Sequence, residues 1–315
     1  LILDIFALGA RTREAQLQVA LAQALYTMPR LRRMWTHLER IEGGIGMRGP
    51  GEKQIEVDRR ILKKSIQELK ERIAEIGGRR DREIASRREA RIVSLVGYTN
   101  AGKSTILRSL TGADVLIEDR LFSTLDTKVE AWPILPGSKV FITDTVGFIR
   151  KLPHHLVASF HATLRVVCHA DLLLHVVDVS SPSFRGQIEA VRGVLEEIGA
   201  DGRPTLLVLN KTDRLDAARD IGALLAEFPG AIPVSAKTGA GLEALRTEVR
   251  NRLAVGRCEA RVHLSASDGK LAHYCHENTE VLARRMVDGD VVLDVRADER
   301  HLRRLRSLGA GVEIR

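Results

Sequence analysis

Ile92-Val93-Ser94-Leu95-Val96-Gly97-Tyr98-Thr99-Asn100-Ala101-Gly102-Lys103-Ser104 is the stretch on which the reading of this chain turns. Residues 92–96 are almost all apolar and read as a buried strand. The octet that follows fits G-x-x-x-x-G-K-[ST], and a helical pattern starts at its end. Strand, glycine-rich loop and helix in that order make a phosphate cradle. Glycines let backbone N–H groups wrap an oxyanion, and the helix N-terminus adds a favourable dipole. Gly97, Tyr98, Thr99, Asn100, Ala101, Gly102, Lys103, Ser104 and Thr105 are the expected phosphate-binding set. Lys103 is placed to reach β- and γ-phosphates, and the Ser104 hydroxyl to ligate Mg²⁺.

Downstream, short apolar runs at 129–134, 140–143, 172–177, 205–209 and 232–234 alternate with helical patterns. They predict a mostly parallel sheet with helices on both faces. The third of these strands in chain order, counting 92–96 as the first, ends in Asp144-Thr145-Val146-Gly147. Asp144 is placed to hold the magnesium through water, and Gly147 to offer its N–H to the γ-phosphate. A later strand ends in Asn210-Lys211-Thr212-Asp213. A carboxylate there can accept both N1–H and N2–H₂ of guanine, a donor pair that adenine lacks. Ser235-Ala236-Lys237, after the last strand, can support the guanine O6 through its backbone. Between the phosphate-loop helix and the next strand, residues 118–127 form a candidate switch loop containing Phe122-Ser123-Thr124-Leu125-Asp126-Thr127. On chemistry alone either Thr124 or Thr127 can complete a magnesium shell. In Ras-type enzymes a Gln follows the Asp-x-x-Gly motif and positions water. Here the residue is Phe148, so slow intrinsic hydrolysis is expected. In some related GTPases an Asn at the place of Asn100 helps bind K⁺, a second cation hypothesis here. His154 and His155 lack partners at ligand spacing, and His175 and the cysteines read as packing residues.

Upstream lies a helical arm. Leu17, Leu21, Leu25, Met28, Leu31, Trp35 and Leu38 form one stripe, with Pro29 expected to kink it. Ile55, Leu62, Ile66, Leu69, Ile73 and Ile76 form a second at heptad-like spacing, expected to run some 30 residues. The two stripes predict a helical hairpin whose tip is the glycine-rich loop 43–52. Residues 1–91 hold 20 basic and 13 acidic residues, residues 92–257 hold 19 and 18, and residues 258–315 hold 10 and 10. Nearly all of the +8 net charge therefore sits in the arm. That arm is either a solvated coiled coil or a surface for nucleic-acid phosphates.

At 44% hydrophobic and 29% charged, the 315-residue chain is globular and not disordered. No 18-residue apolar stretch offers a membrane span. Three scattered cysteines make neither a disulfide framework nor a zinc site, which fits a reducing, cytoplasmic setting. Residues 1–6 read as a strand already under way, so a further segment is expected before them. The last third reads as strand 262–266, helix 269–286, strand 291–295, helix 299–308 and strand 311–314, a small domain without a motif.

The phosphate loop, the run Phe122-Ser123-Thr124-Leu125-Asp126 and Asp144-Thr145-Val146-Gly147-Phe148-Ile149-Arg150-Lys151-Leu152-Pro153-His154 together resemble the HflX family of translational GTPases, close relatives of the Obg group. So do the tip loop 43–52, Leu1-Ile2-Leu3-Asp4-Ile5-Phe6 and Trp35-Thr36-His37-Leu38-Glu39-Arg40. The resemblance covers about residues 1–253, and the last domain matches in position only. It implies an α/β chain: the end of an N-terminal α/β subdomain (1–10), a helical hairpin arm (11–90), a Ras-like GTPase domain (91–257) and a small α/β domain (258–315). It implies Mg²⁺-dependent conversion of GTP to GDP and phosphate, with Lys103, Thr124 and Gly147 at the γ-phosphate. Thr124 becomes the magnesium threonine, and Val146, Phe122, Ser123, Leu125 and Asp126 join the nucleotide site. The partner it implies is the 50S ribosomal subunit and its rRNA, met by Gly43, Gly44, Arg48, Gly49, Gly51 and Lys53 at the tip of a protein that is monomeric off the ribosome. Ribosome splitting or rescue is the implied activity. The alternative is an RNA-binding assembly or hibernation factor that uses GTP as a docking switch.

Overall fold

The phosphate-loop strand is the middle of a six-stranded sheet, and the rest of the domain is built outward from it. The computed structural model describes residues 2–10, 12–31, 50–86, 90–112, 128–145, 147, 166–215, 221–287 and 289–314. Strand β1 (Ala90–Gly97) is flanked in parallel by β3 (Lys139–Asp144) and β4 (Leu172–Asp178), followed by β5 (Thr205–Asn210) and β6 (Ile232–Pro233). The short β2 (Lys128–Ala131) closes the other edge antiparallel, giving the order β2-β3-β1-β4-β5-β6. The registers Leu95↔Asp144, Gly97↔Val176 and Asp178↔Asn210 bring the carboxyl ends of these strands to one edge. That edge is where open parallel sheets bind ligands.

Both faces of the sheet are covered, which is why its strands read as unbroken apolar runs. Val93 and Leu95 face α4 (Lys103–Thr111) and α7 (Leu242–Ala254), packing with Ile106, Leu107, Leu245 and Val249. Val96 and Leu173 face α1 (Ile2–Gly9), the first half of α2 (Arg13–Thr27) and α5 (Phe184–Glu197). The strand expected at residues 1–6 is therefore a helix. An apolar run this short carries no period that separates a strand from a buried helix, and Phe6 is sealed against Val19, Val96 and Val191. Helix α6 (Ile221–Glu227) buries Leu224 beside Val177, Leu209 and Phe184.

The arm leaves from this core. Thr12 caps α2, its hydroxyl oxygen accepting from the Ala15 N–H at 3.2 Å. Pro29 sits in a 3₁₀ turn, Met28–Arg30, at the end of α2, where its missing N–H breaks the α ladder. Helix α3 (Pro50–Ser86) has 37 residues, or about 55 Å at 1.5 Å per residue. It buries Ile66 and Ile73 against Leu21, with Leu17, Leu25, Met28, Leu62 and Leu69 alongside. The described parts of the two predicted stripes thus meet, while Trp35 and Leu38 lie outside the described residues. The tip loop expected to run to residue 52 stops earlier: Pro50, Gly51 and Glu52 are already helical. Proline's fixed φ and absent N–H suit a first helical turn. Gly43, Gly44, Arg48 and Gly49 lie outside the described residues, while Gly51 and Lys53 fall in the first turn of α3.

The second sheet is antiparallel, in the order β10-β7-β9-β8: β7 (Arg257–Ser265), β8 (Glu280–Val287), β9 (Asp290–Asp298) and β10 (Gly311–Ile314). Helices α8 (Gly269–Asn278) and α9 (Glu299–Ser307) cover one face through Leu271, Cys275, Leu302 and Leu305. The helix expected over 269–286 ends at Asn278, and its second half is β8. Thr279 turns extended (φ −136°, ψ 155°), and Glu280–Val287 joins β9 through a register shift between Val281 and Ala283.

Candidate nucleotide site

The loop from Gly97 to Gly102 connects β1 to α4 by a path that glycine alone permits at two points. A Cβ at Gly97 (φ +152°) would fall 2.2 Å from the Val176 carbonyl oxygen. One at Gly102 (φ +95°) would fall 2.3 Å from the Asn210 amide nitrogen. Asn100 also takes a left-handed conformation (φ 60°), which asparagine tolerates better than most residues, and its side chain is exposed. Tyr98 is half-buried, and Ala101 is buried. Ser104 and Thr105 occupy the first turn of α4, half-buried.

Lys103 lies inside this loop at 6% exposure. Its ammonium donates to the carbonyl oxygens of Gly97 (3.2 Å) and Tyr98 (3.1 Å). Burial lowers its pKa to about 8, with the Asp144 carboxylate acting the other way. Charge of the opposite sign from phosphate would raise it again. Ser104 Oγ donates to Asp144 Oδ2 at 2.6 Å, and Asp144 is fully buried at the end of β3. One hydroxyl and one buried carboxylate side by side are hard oxygen donors of the kind that, with phosphate oxygens, suit Mg²⁺. The donor set therefore fits that ion. Among the described residues no cluster of three or more His, Cys, Asp or Glu side chains forms a metal site.

After Asp144 the chain runs back against the phosphate loop. Thr145 Oγ1 donates to the Leu95 carbonyl at 2.6 Å. A Cβ at Gly147 would fall 2.8 Å from both Cα and Cγ2 of Thr99 and 3.0 Å from Lys103 Nζ. Only a residue without a side chain lets this backbone approach the loop and its ammonium. Thr99 itself is 7% exposed, and its Oγ1 has no hydrogen-bond partner among the described residues.

The third group comes from β5 and the loop after β6. Asn210, 1% exposed, donates to the Ala101 carbonyl at 2.8 Å and accepts the Ala236 N–H at 3.1 Å. It ties the phosphate loop to the 235–237 loop as a strut. Of the 235–237 backbone expected to support the guanine O6, the Ala236 N–H is engaged by that strut. Lys211 is left-handed (φ 64°), and its ammonium is 2.7 Å from Asp178 Oδ2. The turn it begins presents Asp213 as an exposed side chain, whose Oδ1 accepts the Ser235 hydroxyl at 2.6 Å. That hydrogen bond, above all, holds the Asp213 carboxyl below its ordinary range, with Lys237 and Arg214 contributing charge. Asp178 did not stand out in the sequence. Its signal was a carboxylate at the carboxyl end of a strand, the same feature that marked Asp144.

Phe122, Ser123, Thr124, Leu125, Asp126, Val146 and Phe148 lie outside the described residues, as do His154 and His155. His175 is buried in β4 and its pKa falls to about 4, through burial first and then the charges of Arg192 and Lys103, so it is a neutral core residue. Cys168, Cys258 and Cys275 are free thiols. No helix among the described residues is long and apolar enough to cross a membrane.

Three family models match in sequence along the chain: GTP-binding GTPase Middle Region over residues 9–87, 50S ribosome-binding GTPase over 92–211 and HflX C-terminal domain over 224–314. The last domain thus matches by sequence and not by position alone. A GTPase HflX from Magnetococcus marinus is 48% identical over 290 residues, covering 90% of this chain and 66% of that protein. The GTPase HflX of Escherichia coli is 45% identical over 300 residues, covering 94% and 70%. The chain spans about two thirds of the length of these two relatives. A GTP-binding protein from Sulfolobus solfataricus, solved in complex with GDP, aligns with a TM-score of 0.50 at 28% identity, over 80% of this chain and 70% of that one.

Proposed function

The chain belongs to the HflX family of GTPases, and from that premise we propose that it binds and hydrolyses GTP and uses the nucleotide to control its hold on the large ribosomal subunit. The observation that carries this reading is the meeting, at one sheet edge, of three groups: Lys103 with its loop, the Ser104–Asp144 pair with Gly147, and Asp213 held by Ser235. Each answers a different part of one molecule. The loop N–H groups and Lys103 take the β- and γ-phosphates. Gly147 offers its N–H to a γ-phosphate oxygen. Ser104 and Asp144, the latter through water, would hold Mg²⁺, joined by Thr124; bound there, the ion neutralises charge on the β- and γ-phosphate oxygens. Asp213 accepts from guanine N1–H and N2–H₂, and Asn210 keeps the two halves of the site in register.

In the reaction, a water oxygen attacks the γ-phosphorus. The bond to the β–γ bridging oxygen breaks, its electron pair leaves on GDP, and the water proton passes to phosphate. With Phe148 in place of a glutamine, turnover is slow until the ribosome or a cation assists. Asn100 is the candidate K⁺ ligand; equal hydrolysis rates in potassium and sodium buffers would remove it. The basic arm is the rRNA-binding part, presented tip first by a cytoplasmic protein that is monomeric off the ribosome.

A sucrose gradient separates the outcomes. This chain is incubated with 70S ribosomes and GTP or a non-hydrolysable analogue. Movement of 70S material into 50S and 30S peaks supports splitting. A stable 70S or 50S complex without splitting makes the chain an RNA-binding factor docked by GTP. No co-migration with any ribosomal peak would sink both.

A further inference from the structure

We infer that the Thr99 hydroxyl orients the water that attacks the γ-phosphate. The inference rests on the GTPase reading above and gives it a group that position 148, a phenylalanine, does not contain.

Burial is the first support. Thr99 is 7% exposed, yet its Oγ1 has no hydrogen-bond partner among the described residues. Buried hydroxyls in folded proteins are nearly all satisfied, so an unsatisfied one calls for a reason. Valine has the same shape and would fill the position without burying an unpaired polar atom. A ligand oxygen supplies the missing partner.

Position is the second. A Cβ at Gly147 would lie 2.8 Å from Thr99 Cγ2 and 3.0 Å from Lys103 Nζ. The Thr99 side chain, methyl group nearest, therefore lies beside the Gly147 backbone, which is also close to the Lys103 ammonium. Among the polar side chains of the loop, Asn100 is exposed, Lys103 is engaged by two carbonyls and Ser104 donates to Asp144.

Chemistry is the third. A hydroxyl is one donor and two acceptor sites. Thr99 Oγ1 can accept one O–H of the incoming water while giving its own proton to a hydrogen bond with a γ-phosphate oxygen. The water oxygen then forms its bond to phosphorus, the β–γ bridging bond breaks with its electrons on GDP, and the water proton moves to the phosphate. Thr99 is neither protonated nor consumed.

The test compares the wild-type chain with Thr99→Val and Thr99→Ser. GDP and GTP affinities come from titration with fluorescent nucleotides, and phosphate release is followed under single-turnover conditions. Loss of one preorganised donor lowers such rates about 10²-fold or more, so Val is expected to fall by that factor and Ser to stay within about threefold of wild type. The two variants are expected to bind GDP within about threefold of each other, and Val to melt no lower than wild type, since it removes the unpaired buried hydroxyl. Hydrolysis by the Val variant at the wild-type rate overturns the inference. So does an equal loss in Val and Ser accompanied by weaker GDP binding, which marks a packing role. If the wild-type chain binds no GTP, the parent reading fails and takes this one with it. Normal GTP binding with an unaffected Val variant removes this inference alone.

Discussion

The Asp213 carboxylate accepts the Ser235 hydroxyl at 2.6 Å and is otherwise turned to solvent. One oxygen is thereby fixed, and that hydrogen bond, above all, holds the carboxyl below its ordinary range. Hydrogen bonds to charged groups contribute about 1.5–3 kcal/mol. Asp213→Asn is therefore expected to weaken GTP about 10- to 100-fold while leaving ATP almost unmoved. Ser235→Ala, which frees the carboxylate to rotate, should weaken GTP by a smaller factor. Competition titrations with the two nucleotides read both, and an Asn variant that still prefers guanine would remove Asp213 from base recognition. Lys103 gives a second prediction, with the sign set by its surroundings. Burial brings its pKa from 10.5 to about 8, so near pH 8.5 much of the free protein holds it neutral. Phosphate restores the ammonium, and through Lys103 GDP binding should take up about three quarters of a proton there but almost none near pH 6.5. Calorimetric titrations in two buffers of different ionisation heat measure that uptake; identical apparent enthalpies at the higher pH would contradict it. The motif residues were legible in sequence because each motif is a contiguous run. The strut and the Asp178–Lys211 pair were not, because Asn210 meets Ala101 across 109 positions, and no local pattern encodes such a partner.

Elements were legible wherever the pattern ran long enough to have a period. The heptad-like stripe of α3 was of that kind, whereas the unbroken apolar runs of the first sheet were legible from their alternation with helical patterns and the motifs at their ends. Residues 280–287 were not: Leu282, Arg284, Arg285 and Met286 suit a helix surface as well as an edge strand. What decides the outcome is tertiary. Gly137, in the turn between β2 and β3, adopts φ +63°, and a Cβ there would fall 1.9 Å from the Thr279 carbonyl carbon. The turn is thus pressed against the chain where α8 gives way to β8. Arg257 seals the same junction, its buried guanidinium donating to Glu280, the Pro136 carbonyl and the Arg296 carbonyl. Arg91, at the start of β1, pairs with Asp298 across it. Gly137→Val puts a branched side chain into backbone that has nowhere to move. Its expected cost is about 2–4 kcal/mol, against about 1 for Gly230→Ala, where φ is +80° but nothing lies within 4 Å. Chemical denaturation measures both. Equal small losses would mean that the two sheets are not held together at this turn.

At the scale of the whole molecule, charge is divided unevenly between the parts. The arm carries a surplus of +7 through residue 91, the nucleotide domain +1 and the last domain none. The arm is also anchored, since Ala15, Val19 and Ala22 of α2 share a core with Val96 of β1 and Leu173 of β4. Packed contacts therefore run from α2 to the strand that leads into the phosphate loop. If the arm binds rRNA through its basic side chains, the affinity of the chain for isolated 50S subunits must carry a counterion term. Six or more phosphate contacts predict a loss of about 10³-fold or more between 50 and 200 mM salt. Nucleotide affinity, set by one buried ammonium and a closed loop, should move far less. Lys63 and Lys64 stand exposed on α3, and replacing both with Gln should flatten the 50S salt slope by up to about two contacts without touching GDP binding. Sedimentation with 50S subunits across a salt series gives the slope for each variant. A flat response in the wild-type chain would leave α2 and α3 as a solvated coiled coil and move ribosome recognition to the neutral domains.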